Sequence, residues 1–151
     1  HSAATLTTST LCAFPRIYLK EMLTSNPELA LRLMTMESRD MSLCQSHLMA
    51  AGRKTAKESI AFVLLELFYR AKKQVQHSFN AAENSIVFPV SQEDIGDAVG
   101  LTNVHVNRVI KTLTDEKLII CHKKRLVILN EELLRKIADF SPEMIETPSL
   151  F

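Results

Sequence analysis

The stretch VSQEDIGDAVGLTNVHVNRVIKTLTDEKLI, Val90 to Ile119, sets the tightest limit on what this chain folds into. It holds two amphipathic helical patterns separated by Gly100. Ser91, with Asp94 three residues later, makes a capping box, and Ile95 and Val99 mark the inward side of a short helix that Gly100 ends. Thr102 caps a second helix, on which Val106, Val109, Ile110 and Leu113 recur at helical spacing and face inward. That leaves Asn103, Val104, His105, Asn107, Arg108 and Lys111 nearer the outside. Two short helices at a set angle, one glycine turn and a polar outer face on the second describe a helix-turn-helix.

The next segment, LIICHKKRLVIL, gives two β-rich runs, Leu118 to Cys121 and Leu126 to Leu129, around a basic tip, His122 to Arg125. A helix-turn-helix followed by such a hairpin is a winged helix, whose wing tip lies beside the second helix and grips phosphate. Asn130 caps a closing helix, Glu131 to Asp139, and residues 141–151 read as a poorly ordered tail.

Upstream, TLTTSTLCAF predicts a strand, Thr5 to Phe14, with no sheet around it, and Pro15 opens a short helix from Ile17 to about Thr24. Asn26-Pro27 then starts a long helix as an N-cap with proline at the first helical position. Ala30, Met34, Glu37, Met41, Cys44, Leu48 and Ala51 alternate at spacings of four and three, an almost wholly apolar seam. A second stripe, Leu29, Leu33, Met36 and Leu43, runs beside it. A helix with two apolar stripes needs two neighbours, and the short preceding helix supplies one at most. A second copy of the same helix is expected to supply the other, which makes the chain a homodimer and places Cys44 near its mate as a small buried thiol.

Gly52 is expected to end this helix, with Gly52 to Lys54 as hinge and domain boundary. Thr55 caps the next, AKESIAFVLLELFYRA, with Ile60, Val63, Leu64, Leu67 and Phe68 on one face. Gln74 to Ser85 reads as a polar loop, and IVFPV as a short strand ending at Pro89. The organisation is thus mainly α with a small β-wing. Residues 1–52 hold a strand and the dimerisation helix, residues 53–140 a winged helix-turn-helix domain, and residues 141–151 the tail.

Composition narrows the function. With 46% hydrophobic and 23% charged residues the chain is a soluble globular one. No apolar run reaches the roughly 18 to 20 residues that span a bilayer, so no membrane partner is expected. The start HSAATLTT lacks the basic and apolar regions of a signal peptide, so the expected location is cytoplasmic, and the leading His1-Ser2 points to a piece of something longer. Three cysteines, Cys12, Cys44 and Cys121, are widely separated and show no CxxC spacing, so neither a disulfide framework nor a metal site is expected, and no cofactor. The net charge of +1 conceals segregation. Residues 53–73 and residues 101–126 each carry six Lys/Arg against two acids, while residues 74–100 carry four acids and no Lys/Arg.

The second cationic block contains the second helix and the wing, and its chemistry suits double-stranded DNA. Thr102 and the first amides of that helix suit a phosphate oxygen, since a helix N-terminus offers unpaired donors. Arg108 presents a planar fork matching O6 and N7 of guanine, Asn107 suits adenine, and Val104 suits a thymine methyl. His105 and Lys111 support the backbone, Ser91 and Gln92 join from the first helix, and Lys123, Lys124 and Arg125 are assigned to phosphate. The competing reading is an interaction module whose winged helix meets a protein; such a face would more often expose Leu, Phe or Trp. An enzyme is disfavoured by the lack of a Gly-rich phosphate loop or a plausible carboxylate pair.

These residues resemble the C-terminal part of the CRP/FNR family of bacterial transcription regulators, over about Thr5 to Asp139. The likeness is carried by SQEDIGDAVGLTNVHVNRVIKTLTDEKLI, by NPEL at Asn26 to Leu29, which resembles the entry to the family's dimerisation helix, and by GRKTAKESIAFVLLEL at Gly52 to Leu67, which resembles its FNR-like branch. The resemblance implies that the Ala30 to Ala51 seam is a parallel coiled-coil dimer interface, that an inverted-repeat DNA site is read, and that the Gln74 to Ser85 loop is where RNA polymerase is touched. It also implies that only the last strand of the family's effector-binding barrel is present. Departures accompany it. There is no phosphate-binding cassette and no N-terminal cysteine cluster, and Cys44 and Gln45 stand where cyclic-nucleotide members carry two hydroxylated residues. The FNR-like pattern Glu-x-x-Ser-Arg becomes Val104, Asn107 and Arg108, retaining only the arginine.

Overall fold

The computed structural model describes residues 3–6, 8–74 and 79–145. Along these the chain forms α1 (Ile17–Ser25), α2 (Pro27–Arg53), α3 (Ala56–Gln74), β1 (Phe79–Asn80), β2 (Ser85–Val87), α4 (Gln92–Val99), α5 (Asn103–Asp115), β3 (Ile119–His122), β4 (Arg125–Ile128) and α6 (Glu131–Ala138). A 3-10 turn, Pro142–Met144, follows. No helix among the described residues is long and apolar enough to cross a membrane.

The core is organised around α3. Its start is a capping box: the Glu58 amide donates to Thr55 Oγ1 at 3.4 Å and the Thr55 amide to Glu58 Oε2 at 2.7 Å. The Thr55 amide holds the Glu58 carboxyl below its ordinary pKa. Ile60, Ala61, Phe62, Val63, Leu64, Leu65 and Phe68 are all buried, so the expectation of a single apolar face was too narrow. A helix that is hydrophobic all round is enclosed by its neighbours. Here these are α6, α5, α4 and β2, with α2 touching it as well.

The four strands form one antiparallel sheet in the order β1-β2-β4-β3. The wing hairpin β3–β4 is therefore braced by the segment before the helix-turn-helix, with Ile86 opposite Leu126 and Leu126 opposite Cys121. Ile86, Leu126, Ile119 and Ile128 point into the core. The polar loop expected over Gln74 to Ser85 is shorter than that, since α3 runs to Gln74 and β1 pairs with β2; residues 75–78 lie outside the described set.

Three other expectations are corrected. Among its described residues the segment Thr5 to Phe14 forms no strand and is exposed, because β propensity needs further strands to pair with before it makes a sheet. Gly52 does not end α2, which continues to Arg53; the chain bends at Lys54. The start of the expected tail is packed: after the Pro142–Met144 turn Ile145 is buried, and just before the tail Phe140 meets Phe62 edge-on with ring centroids 5.5 Å apart. Residues 146–151 lie outside the described set.

Where α2 meets α3, polar contacts replace depth of packing. Leu43 is buried, His47 Nε2 lies 2.6 Å from Glu66 Oε2, and Arg70 Nη2 lies 2.9 Å from Glu66 Oε1. Lys54 Nζ donates to the Ala138 carbonyl at 2.6 Å and sits 4.4 Å from the Phe62 ring centroid, tying the bend between the two helices to the end of α6.

Candidate nucleic-acid interface

The helix-turn-helix is set by backbone chemistry. Ser91 Oγ accepts from the Asp94 amide at 3.1 Å, and the Ser91 amide donates to Asp94 Oδ2 at 2.8 Å, which closes the capping box at the start of α4. The Ser91 hydroxyl and then its amide hold the Asp94 carboxyl below its ordinary pKa. At the other end Gly100 sits at φ 69°, a left-handed cap, and the Leu101 amide donates back to the Gly96 carbonyl at 2.9 Å. Gly96 matters as much. A Cβ there would stand 2.5 Å from the Leu101 carbonyl oxygen, so only glycine lets the turn close this tightly.

Thr102 Oγ1 accepts from the His105 amide, capping α5 as expected. Val106, Val109, Ile110 and Leu113 are buried, and burial worth about 1.5 to 3 kcal/mol for each large aliphatic side chain fixes which way the helix faces. At 3.6 residues per turn, Val104 and Lys111 stand opposite that stripe, Asn107 and Arg108 flank them, and Asn103 and His105 lie nearer its margins. All six are exposed. Val104, at 63% exposure, is an apolar side chain set in the middle of a polar, cationic face.

Lys117, at φ 56°, turns the chain from α5 into the wing. The wing turn is tighter than the four-residue tip expected from sequence. His122 and Arg125 are paired strand residues, so the turn itself is Lys123-Lys124, at φ 48° and 59°. Positive φ at both central residues is the requirement of a type I′ hairpin, normally met by Asn-Gly. Two lysines held in that conformation place both ammonium groups at the extreme of the wing. Among the described residues Arg108, Lys111, Lys123 and Lys124 enter no ion pair.

Of the residues expected at DNA, Arg125 and Ser91 make hydrogen bonds within the chain. Arg125 lies in β4 with its guanidinium turned onto the outer face of the sheet, where Nη2 is 2.6 Å from both Glu83 Oε2 and Ser85 Oγ. The Ser91 hydroxyl donates to Asp94 Oδ2 at 2.7 Å, and Gln92 is half-buried. Nothing in the sequence signals the Glu83–Arg125 pairing, because it depends on β2 lying beside β4. Burial raises the Cys121 thiol pKa, and no group of three His, Cys, Asp or Glu among the described residues is placed to hold a metal ion.

On the opposite side of α2 from Leu43, the expected seam is open in the single chain. Met34, Met41 and Leu48 are 68%, 62% and 74% exposed, Glu37 and Cys44 are exposed, and Ala30 is half-buried. The side chain of Ala51 lies outside the described set. Of the second stripe only Leu43 is buried; Leu29 is half-buried and Leu33 and Met36 are exposed.

Residues 58–137, from the first turn of α3 to the last of α6, match the family described as the Crp-like helix-turn-helix domain. The chain belongs to the CRP/FNR family. Curated relatives include the transcriptional activator protein FnrL of Cereibacter sphaeroides, 30% identical over 87% of this chain and 53% of its own length. Another is the transcriptional activator protein Anr of Pseudomonas protegens, 31% identical over 94% of this chain and 56% of its own length. The structure of FixK2 from Bradyrhizobium japonicum superposes with a TM-score of 0.69 at 26% identity, covering 83% of this chain and 60% of that one. The chain spans about half the length of the curated relatives it matches. As a CRP/FNR member it is mainly α with a winged helix-turn-helix.

Proposed function

We propose that this CRP/FNR chain is a transcription regulator that binds double-stranded DNA sequence-specifically as a two-fold dimer. The carrying observation is that Arg108 and Lys111 on the exposed face of α5 and Lys123 and Lys124 at the wing turn enter no ion pair among the described residues, while α5 starts at a Thr102 cap. In this reading α5 lies in the major groove. The α5 N-terminus at Thr102 and Asn103 meets a phosphate and orients the helix. Arg108 pairs with a guanine edge, Asn107 with adenine, and Val104 with a thymine methyl, while His105 and Lys111 flank them toward the backbone. Lys123 and Lys124 clamp phosphate beside the groove. The apolar face of α2 pairs with its copy, setting the two α5 helices in inverted orientation. RNA polymerase is the proposed further partner at the loop between α3 and β2, and the cytoplasm the proposed location; neither a cofactor nor catalysis is part of this reading.

The relatives named as transcriptional activators support it. The alternative, a winged helix that meets a protein, has exposed Val104 in its favour, since an apolar side chain in mid-face also suits a protein partner. Selection of bound duplexes from a random DNA pool separates the two. An inverted-repeat consensus with half-sites about 34 Å apart is expected. Recovery of no consensus would favour the protein-binding reading.

A further inference from the structure

The wing carries three adjacent cations, Lys123, Lys124 and Arg125, and the structure treats the third differently. Along β4, Leu126 and Ile128 point into the core, so Arg125 and Val127 stand on the outer face of the sheet. There Arg125 lies between Val87 of β2 and His122 of β3 in register. Its guanidinium is met from below by the turn that joins β1 to β2. Arg125 Nη2 lies 2.6 Å from Glu83 Oε2 and 2.6 Å from Ser85 Oγ, and Ser85 Oγ donates in turn to Glu83 Oε2 at 3.3 Å.

An isolated surface ion pair contributes little and is screened by salt. This one is not isolated: Ser85 is fully buried in a strand that pairs with β4, so one anchor of the guanidinium is rigid. The Glu83 turn is itself braced, with Asn84 Nδ2 donating to the Ile128 carbonyl at 3.1 Å and the Ile128 amide to the Asn84 carbonyl at 3.1 Å. A carboxylate carried on a turn clamped to the root of the wing therefore fixes an arginine that stands one residue from the wing turn.

We propose that Glu83 is a positioning residue for the wing, holding Arg125 on the outer face of the sheet so that, of the wing's three cations, only Lys123 and Lys124 bring charge to the DNA backbone. The proposal rests on the DNA-binding reading of this chain. Its consequence is a limit on sequence-independent affinity. Each phosphate neutralised adds about 0.9 to the slope of log affinity against log salt, so a freed Arg125 in each subunit would strengthen binding to any duplex without adding discrimination.

The test is a salt titration of the full chain on a labelled duplex of scrambled sequence. It compares the parent, Glu83→Ala, Arg125→Gln and the double variant, with Lys124→Ala as a control. Glu83 is exposed, so its truncation leaves the core intact. Glu83→Ala should tighten binding and steepen the slope by about one per subunit, equivalent to roughly a threefold affinity gain per subunit over a fourfold span of salt. Arg125→Gln should leave the parent slope unchanged, and the double variant should return to it. A Glu83→Ala gain that persists in the double variant would mean general charge removal and overturn the proposal. So would unchanged or weakened binding by Glu83→Ala. If the parent binds duplex with no salt dependence or not at all, the DNA reading itself falls and this proposal with it; if the parent slope is steep but Lys124→Ala leaves it unchanged, or Lys124→Ala lowers it and Glu83→Ala does not raise it, this proposal alone falls.

Discussion

Gly96 shows how much of this site depends on what a residue lacks. Its neighbour in function, Gly100, was readable from sequence as a helix stop, because glycine after a periodic run takes the left-handed cap that its φ of 69° displays. Gly96 was not readable, since it lies inside a helical pattern and its constraint comes from the Leu101 carbonyl in the next segment. Gly96→Ala should destabilise the chain by about 1 to 3 kcal/mol through overpacking against backbone. Urea unfolding should show it as a lower midpoint at unchanged slope. Tyr69 makes a second prediction at this scale. Partial burial and its hydrogen bond to the Glu131 carboxylate push its pKa up to about 12 from 10. A tyrosine whose folded pKa is raised contributes stability that is complete below pH 10 and lost as pH rises toward 12. Tyr69→Phe should therefore flatten the alkaline fall in melting temperature between those values, and an unchanged fall would count against the coupling.

Among the elements, those with local chemistry were legible and those that depend on distant partners were not. The capping boxes at Ser91–Asp94 and Thr55–Glu58, the Asn130 cap whose side chain accepts from the Leu133 amide, and the inward stripe of α5 each follow from residues a turn apart. Thr5 to Phe14 has strand composition yet forms no strand among its described residues, and the enclosure of the middle of α3 follows from packing that periodicity does not report. The wing turn makes the most specific prediction. Lys123 and Lys124 occupy positive φ without glycine's freedom, at a cost of the order of 1 kcal/mol each. Replacing the pair by Asn-Gly should raise stability by about 1 kcal/mol or more while flattening the salt dependence of DNA binding. Thermal melting and a salt titration read the two effects separately. If stability rose and the salt slope stayed the same, the lysines would have no place at phosphate.

The molecule as a whole has one side finished and one side open. Around α3 the winged domain closes on itself, whereas α2 presents Met34, Met41 and Leu48 to solvent along a helix of 27 residues. Fully covering such side chains is worth about 1.5 to 3 kcal/mol each, and this is the gain that the proposed pairing with a second copy would set against the cost of association. Sedimentation at micromolar concentration should show a dimer, and Met41→Glu should convert it to monomer with the winged domain still folded. A monomeric parent would remove the two-fold from the account. The apolar spacing along α2 is legible because it is local to one helix, and that a second copy covers it is part of the proposed function. The Arg125–Glu83 contact is not legible, because its partners lie 42 residues apart in the chain.

In the proposed function α5 reads bases and the wing turn clamps phosphate. The most direct test measures affinity for a selected duplex and a scrambled one over several salt concentrations, for the parent, Arg108→Ala and Lys124→Ala. Arg108→Ala should cost about 1 to 3 kcal/mol per half-site on the selected duplex and little on the scrambled one. Lys124→Ala should weaken both alike and lower the salt slope by about one per subunit. Equal losses on both duplexes for Arg108→Ala would move Arg108 from base to phosphate, and unchanged binding in both variants would contradict the account.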